Sequence, residues 1–335
     1  MLISRTADQQ ELAQITGALL AKRADSAASR RALDTPVGYD VSLWTTMCDQ
    51  IGVAALPIAD EYAGAGATLA ESAVVLESLT NALVPHPLLG TTLAATALTL
   101  WGTEEAKVKW LPLIAAGEVA TIAWPGCAGG LALNAGSAEH VFTIDDGLLA
   151  HVAAAELDLT PTMDQFLRLG TLRGATASVG GAVDPAVLTA IARALVSAMQ
   201  VGLAQRGLDM TVAYAKDRVQ FGRPIGSFQA IKHRLADMLV QVEAARSASL
   251  GAVAAAVEFV ADPASDDARA LLLKRARVAS AYCSEASAHV TGETVQLHGG
   301  IAITWEHDAH LIFKAGHALG QLLGQAHEVR AELAR

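Results

Sequence analysis

The chain has 335 residues, 52% hydrophobic and only 17% charged, which excludes disorder as its main theme and allows two or three packed units. Much of the apolar content is alanine while aromatics are 4%, a balance that favours helices in close contact. A net charge of −10 leaves no basic footprint for nucleic acid or for an anionic membrane surface, so any phosphate must be met locally.

Met1 to Gln10 carries Arg5 and Asp8 and no apolar run, so it does not read as a signal peptide. From there to about Ala120 the spacing predicts helices over Ala7–Ala32, Ser42–Ile51, Leu69–Leu83, Leu88–Trp101 and Glu104–Ala116. Thr103 is suited to start the last of these, with Glu104 and Glu105 in the first turn where the helix dipole favours acids, and Gly117 to stop it. Leu56 to Gly66 is a loop. Its Gly64-Ala65-Gly66 follows no strand and lacks a third glycine, so it is not a dinucleotide fingerprint.

Between Val119 and Val183 the pattern changes to short apolar runs separated by Gly, Asn and Asp: Ala120–Trp124, Glu139–Ile144, Leu148–Val152, Glu156–Leu159 and Gly174–Val179. Asp145-Asp146-Gly147 between two of them signals a hairpin. This is a small β-domain.

From Asp184 onward the chain is helical again. Asp184-Pro185 supplies an N-cap and a first-turn proline for a helix to about Lys216. The next runs from Ser227, placed as its cap, to about Val260, with Phe228, Ile231, Leu235, Met238, Leu239 and Val242 at helical spacing. Asp262-Pro263 breaks it, a third runs from Asp266 to about Gly292, and shorter ones cover Asp308–Leu323 and Ala326–Leu333, completing an antiparallel bundle. The expected fold is mainly α with a small central β-domain: an N-terminal α-helical domain over 1–118, a middle β-domain over 119–183 and a C-terminal helical bundle over 184–335.

Several chemistries find no support. Cys48, Cys127 and Cys283 are far apart and form no C-x-x-C, which indicates neither disulfides nor structural zinc and suits a reducing cytoplasm. His307, His310 and His317 lack the H-E-x-x-H arrangement and read as a polar helix face, so no metal is expected. No serine stands in a G-x-S-x-G turn, and the apolar windows Leu88–Leu100 and Leu250–Ala261 are too short or too charged to span a membrane.

The informative segment is Asp217-Arg218-Val219-Gln220-Phe221-Gly222-Arg223-Pro224-Ile225-Gly226-Ser227-Phe228-Gln229-Ala230-Ile231, followed about 65 residues later by Gln296-Leu297-His298-Gly299-Gly300. A cation, an amide and an aromatic ring are gathered where Gly222 and Pro224 force a turn, which suits a ligand bearing phosphate and rings. On their own, Arg218 could serve only a helix C-terminus and Gly299-Gly300 only a helix-ending turn. Together the two segments resemble the acyl-CoA dehydrogenase family, in which an R-x-x-F-G-x-P-I-x-x-x-Q-x-I run and a Q-x-x-G-G run hold the flavin dinucleotide of a neighbouring subunit. Pro57, Glu61, Tyr62, Gly64, Gly66, Glu77-Ser78-Leu79 and the run from Trp110 to Glu118 extend the resemblance. It implies FAD as cofactor, with contacts from Arg218, Gln220, Phe221, Ile225, Phe228, Ile231, Gln296, Gly299 and Gly300. His298 reads as a packed or interfacial histidine.

The resemblance fails in two places. The middle domain is roughly half the family's length, with the flavin strand reduced to Ala123-Trp124-Pro125-Gly126-Cys127-Ala128-Gly129-Gly130. The family's reaction also needs a carboxylate to take the proton next to the thioester. Leu323 stands at one of the family's two base positions and Ala192 at the other, so no catalytic residue is assigned; Glu306, Asp308 and Glu328 are the nearby acids. The expectation is therefore a base-deficient subunit of an α2β2 acyl-CoA dehydrogenase, completing the flavin site of a homologous catalytic subunit. Its implied partners are an acyl-CoA, of which steroid-derived thioesters are one family-level class, and an electron-transfer flavoprotein as acceptor. The alternatives are a self-sufficient homo-oligomeric enzyme with an unrecognised base and a flavin-free scaffold.

Overall fold

The computed structural model describes residues 4–134 and 136–334. Its N-terminal part contains α1 (Ala7–Arg23), α2 (Ser26–Leu33), α3 (Val41–Ile51), α4 (Leu69–Asn81), α5 (Leu88–Trp101) and α6 (Glu104–Ala115). The single helix expected over 7–32 is two, because the Asp25 carboxylate accepts from Ala28 N at 2.7 Å and caps a new start. Thr103 caps α6 and Gly117, at φ 106°, follows its end as expected. Nearly all of α5 is buried between its neighbours.

The chain then forms a five-stranded sheet from β1 (Ala120–Ala123), β2 (Ala132–Leu133), β3 (His140–Asp145), β4 (Leu148–Thr160) and β5 (Leu169–Ala182), in the order β1-β3-β4-β5-β2. β1 and β3 are parallel and the other pairs antiparallel. Asp146 and Gly147, at φ 48° and 78°, make the β3–β4 hairpin turn that their residue types require. The runs expected at Leu148–Val152 and Glu156–Leu159 are one strand, its register shifted between Ala153 and Glu156, and β5 extends well beyond Gly174–Val179. β2, too short for a periodic signal, was not foreseen.

The C-terminal part is built on three helices of 33 residues each: α7 (Pro185–Asp217), then, after the two-stranded hairpin β6 (Val219–Gln220) and β7 (Arg223–Pro224), α8 (Gln229–Ala261) and α9 (Asp266–His298). α10 (Ala309–Gln321) and α11 (Ala326–Leu333) close the bundle. Asp184 accepts from Ala186 N and Val187 N, fixing the start of α7 as expected. α9 passes through Gly292, where nothing surrounds the missing side chain, and ends at Gly299, whose φ 66°, ψ −144° only glycine adopts readily. The expected end at Gly292 is thus six residues early, and Gln296 lies on the helix.

Contacts along α7 and α9 rise together in sequence: Gln200 to Ser284, Thr211 to Thr294, Tyr214 to His298. The two helices are therefore parallel and end side by side, with α8 running back between their ends. α4 packs on α7 so closely that a Cβ at Gly202 would lie 2.2 Å from Glu77 O. α7 and α8 have the length and composition to cross a membrane, which the shorter windows did not register; the most apolar stretch of α7 is 89% buried in the bundle. One contiguous core runs through the N-terminal helices, the sheet and the bundle.

Candidate flavin-contact site

At the end of α7 the Arg218 N–H still bonds Tyr214 O at 2.8 Å, but its backbone has turned extended, and Ile225 N returns to Arg218 O at 2.8 Å to close the hairpin. Phe221 and Gly222 form the two-residue turn at φ 52° and 78°. The left-handed conformation is uncommon for a bulky residue, and this ring is 92% exposed. It meets Phe228 edge-on at 6.1 Å, and the Arg223 guanidinium lies 4.1 Å over the Phe228 ring. Arg223 was missed in the sequence because only its stacking on Phe228 distinguishes it from any surface cation.

Ser227 does not cap α8. Its hydroxyl donates to Pro224 O at 2.7 Å inside a 3-10 turn over Ile225–Ser227, and the residue before the helix is Phe228, without a side-chain cap. The expectation failed because the turn uses the serine first. Gly226 lets this turn approach α7: a Cβ there would lie 2.8 Å from Ala215 O.

Arg218, Gln220 and Phe221 are exposed, as are Gln296, Gly299 and Gly300, while Ile225, Phe228 and Ile231 are half-buried; Ile231 packs on a small cluster with Met238 and Val242. The two segments share one end of the bundle. They are tied by His298, whose ring stacks on Tyr214 at 4.4 Å and whose carbonyl accepts from Tyr214 Oη at 3.3 Å. His298 Nδ1 bonds Thr294 O at 2.7 Å, and burial lowers its pKa, so the ring is a neutral packing element as expected. Among the described residues Arg218 makes no ion pair, although most arginines of the bundle do.

The reduced flavin strand folds onto the bundle. Trp124 is 1% exposed and donates to Thr189 Oγ1 at 2.9 Å, and Ala128 N donates to Leu322 O at 2.8 Å. Leu323 and Ala192 are both buried, and the Arg193 guanidinium donates to Leu323 O at 2.9 and 3.2 Å while pairing with Glu332. Two of the three nearby acids are otherwise engaged. Asp308 accepts from Arg30 at 2.9 Å and from Ser26, and Glu328 accepts from Gln325 N at 2.8 Å in a capping box; Glu306 is exposed. His307 stands 4.8 Å from His298, ring to ring, and His310 stacks on Trp305.

A family model described as acyl-CoA dehydrogenase, N-terminal domain, matches residues 6–118, and one described as acyl-CoA dehydrogenase, C-terminal domain, matches residues 187–326. The acyl-CoA dehydrogenase IpdE2 of Mycolicibacterium smegmatis is 44% identical over 322 residues, covering 96% of each chain. Among solved structures, a variant of the Tcur3481–Tcur3483 steroid ACAD superposes with a TM-score of 0.87 at 27% identity, over 98% of this chain and 96% of that one. The ChsE4–ChsE5 complex from Mycobacterium tuberculosis gives 0.84 at 25% identity, over 100% and 98%.

Proposed function

Because the chain belongs to the acyl-CoA dehydrogenase family, we propose that it is the base-deficient subunit of a heteromeric FAD-dependent acyl-CoA dehydrogenase, completing a flavin site on a homologous catalytic partner. The observation that carries this reading is the hairpin tip: Phe221, 92% exposed and touching its own fold only edge-on at Phe228, stands near Arg218, which among the described residues makes no ion pair. The residues suit FAD. Nothing lies within 4 Å of a Cβ built on Gly222, Gly299 or Gly300, so these backbones are open to close approach. Arg218 would hold the diphosphate through its guanidinium, Gln296 and the glycine N–H groups would meet the adenosine diphosphate half, and Phe221 would lie against a ring.

When bound, FAD supplies the hydride acceptor for oxidation of the acyl chain, and electrons pass on to an electron-transfer flavoprotein. This chain contributes binding and orientation. Leu323 and Ala192 have no proton-accepting group, so the carboxylate that takes the proton belongs to the partner. The solved neighbours named as a steroid ACAD and as a two-component complex support an α2β2 assembly and a bulky, steroid-derived acyl group.

Flavin content and turnover, measured with and without a co-expressed homologous dehydrogenase subunit, test the reading. Stoichiometric flavin and turnover should require both chains. A yellow, active homo-oligomer would establish the self-sufficient enzyme instead, and a complex whose flavin is indifferent to Arg218→Ala would leave only a scaffold.

A further inference from the structure

A cleft of about 540 Å³ lies where α1 and α2 meet α4, α7 and α10. Arg206, its contribution from α7, stands about 18 Å along that helix from Arg218 at the flavin end. Pockets that take organic ligands run from roughly 300 to 1,000 Å³, so the space has the size for one. α1 turns toward it the face that carries Ala13, Gly17, Leu20, Ala21 and Ala24, residues whose spacing of three and four puts them on one side of a helix. All but Leu20 are Ala or Gly, which sets this wall back, and nothing lies within 4 Å of a Cβ built on Gly17. Leu20, Leu83 and Leu311, all buried, make the lining apolar at depth.

Most polar groups around the cleft are spent on the protein itself. The Asp25 carboxylate caps α2 through Ala28 N. Glu77 pairs with Arg5 and Arg246, Ser78 Oγ donates to Val74 O, and Asn81 Nδ2 donates to Gly202 O. Asp308 accepts from Arg30 and from Ser26. Among the described residues that line the cleft, two groups are left over. Ser29 is 4% exposed and its hydroxyl has no hydrogen-bond partner. Arg206 is half-buried with Nε unpartnered, and its guanidinium stands 3.8 Å from Asp308 Oδ2, too far for a hydrogen bond.

Both belong to one end of the cleft. Ser26 and Arg206 approach the same Asp308, and Ser29 follows Ser26 by one turn of α2. Asp308 is shared by two guanidiniums, Arg30 and Arg206, so one positive charge there has no carboxylate of its own. A carboxylate from outside would accept from Arg206 through a charge-assisted bond and from the Ser29 hydroxyl. The remainder of such a ligand has to be apolar, because the rest of the lining offers carbon or polar groups that are already paired.

We propose that this cleft binds an apolar monocarboxylate, with its carboxylate on Arg206 and Ser29 and its hydrocarbon body along the small-residue face of α1. The inference does not depend on flavin sharing. Because the ligand touches α1 and α2 on one side and α7 and α10 on the other, it would also hold the N-terminal helices to the bundle.

Gly17→Cys sets a thiol in the cleft, and its alkylation by N-ethylmaleimide, located by mass spectrometry against the native cysteines, reads occupancy. Octanoate should slow that alkylation saturably, about tenfold once it exceeds its half-effect concentration by the same factor. Octanol at the same concentration should slow it far less. In this background Arg206→Gln should raise the octanoate half-effect concentration roughly 10- to 100-fold and Ser29→Ala roughly 2- to 10-fold, the factors that a charge-assisted and a neutral hydrogen bond give. No slowing at about 10 mM octanoate overturns the proposal. Equal slowing by octanol overturns the carboxylate. An unchanged half-effect in Arg206→Gln with its thermal transition retained or, should that variant not fold, in Ser29→Ala overturns the residues assigned to hold it.

Discussion

Arg218 and Phe221 are exposed and have few contacts within this chain, Phe221 only an edge-on one with Phe228, so the proposed flavin role is what would account for them. Arg218→Ala is therefore expected to leave folding intact and to weaken flavin retention in the complex by about 1.5–3 kcal/mol, with Arg218→Lys recovering part, since an ammonium cannot pair bidentately. Flavin release monitored by fluorescence checks this. Asp164 and His86 make a second case. Burial pushes the Asp164 carboxyl up to about 6 and the His86 imidazole down to about 4. For Asp164 the folded pKa is raised, so its contribution is fully present below about pH 4 and is lost as pH rises through about 6, a change of about 3 kcal/mol. For His86 the folded pKa is depressed, so its contribution is present above about 6.5 and is lost as pH falls through about 4. The two slopes oppose each other over the same window. Asp164→Asn should consequently gain stability over the wild type at neutral pH but not at pH 4, and His86→Asn should gain stability relative to the wild type as pH falls from about 6.5 through about 4; urea titrations across that range measure both differences.

At the scale of elements, the site depends on two parallel helices ending together. Thr211 to Thr294 and Tyr214 to His298 set that register, and Gly226 lets the turn after the hairpin sit on the last turns of α7. Gly226→Ala should push this turn off Ala215 O, costing about 1–3 kcal/mol by overpacking and loosening flavin in the complex while Arg218 is untouched. Chemical denaturation and flavin retention should fall together in this variant, whereas Arg218→Ala should move only the second. The same close approach recurs where α4 crosses α7 at Gly202, which is why an alanine- and glycine-rich chain with few aromatics can build so continuous a core.

For the whole molecule, the proposed base-deficient reading divides labour between two chains. Glu306→Gln and Glu328→Gln are each expected to leave turnover of the complex within roughly tenfold, whereas loss of a true proton acceptor costs about 10²-fold or more. Asp308→Asn should behave alike in turnover per folded complex but lower the thermal midpoint, because Asp308 joins Arg30 and Ser26 of α2 to the bundle. One carboxamide substitution in the partner should abolish turnover with flavin still bound. An indispensable carboxylate on this chain, with flavin and assembly intact, would reverse the assignment.

What the sequence by itself determined is what short-range chemistry controls. Thr103, Asp184-Pro185, Asp145-Asp146-Gly147 and Gly117 act within one turn of the backbone, and each sits where its cap, hairpin or stop was expected. The family and its fold were legible for the same reason, as residue types at fixed spacing. Tertiary structure alone decided that α9 runs through Gly292, that Ser227 serves a turn rather than a helix, and that the segments around Arg218 and Gln296 lie at one end of the bundle. It also buried Asp164 and bound Arg168 to the end of α2, in a stretch that reads as a plain connection. The physical reason is one of range: a cap or a turn is settled by neighbours in sequence, whereas packing, burial and the partners of a charge come from residues far away along the chain.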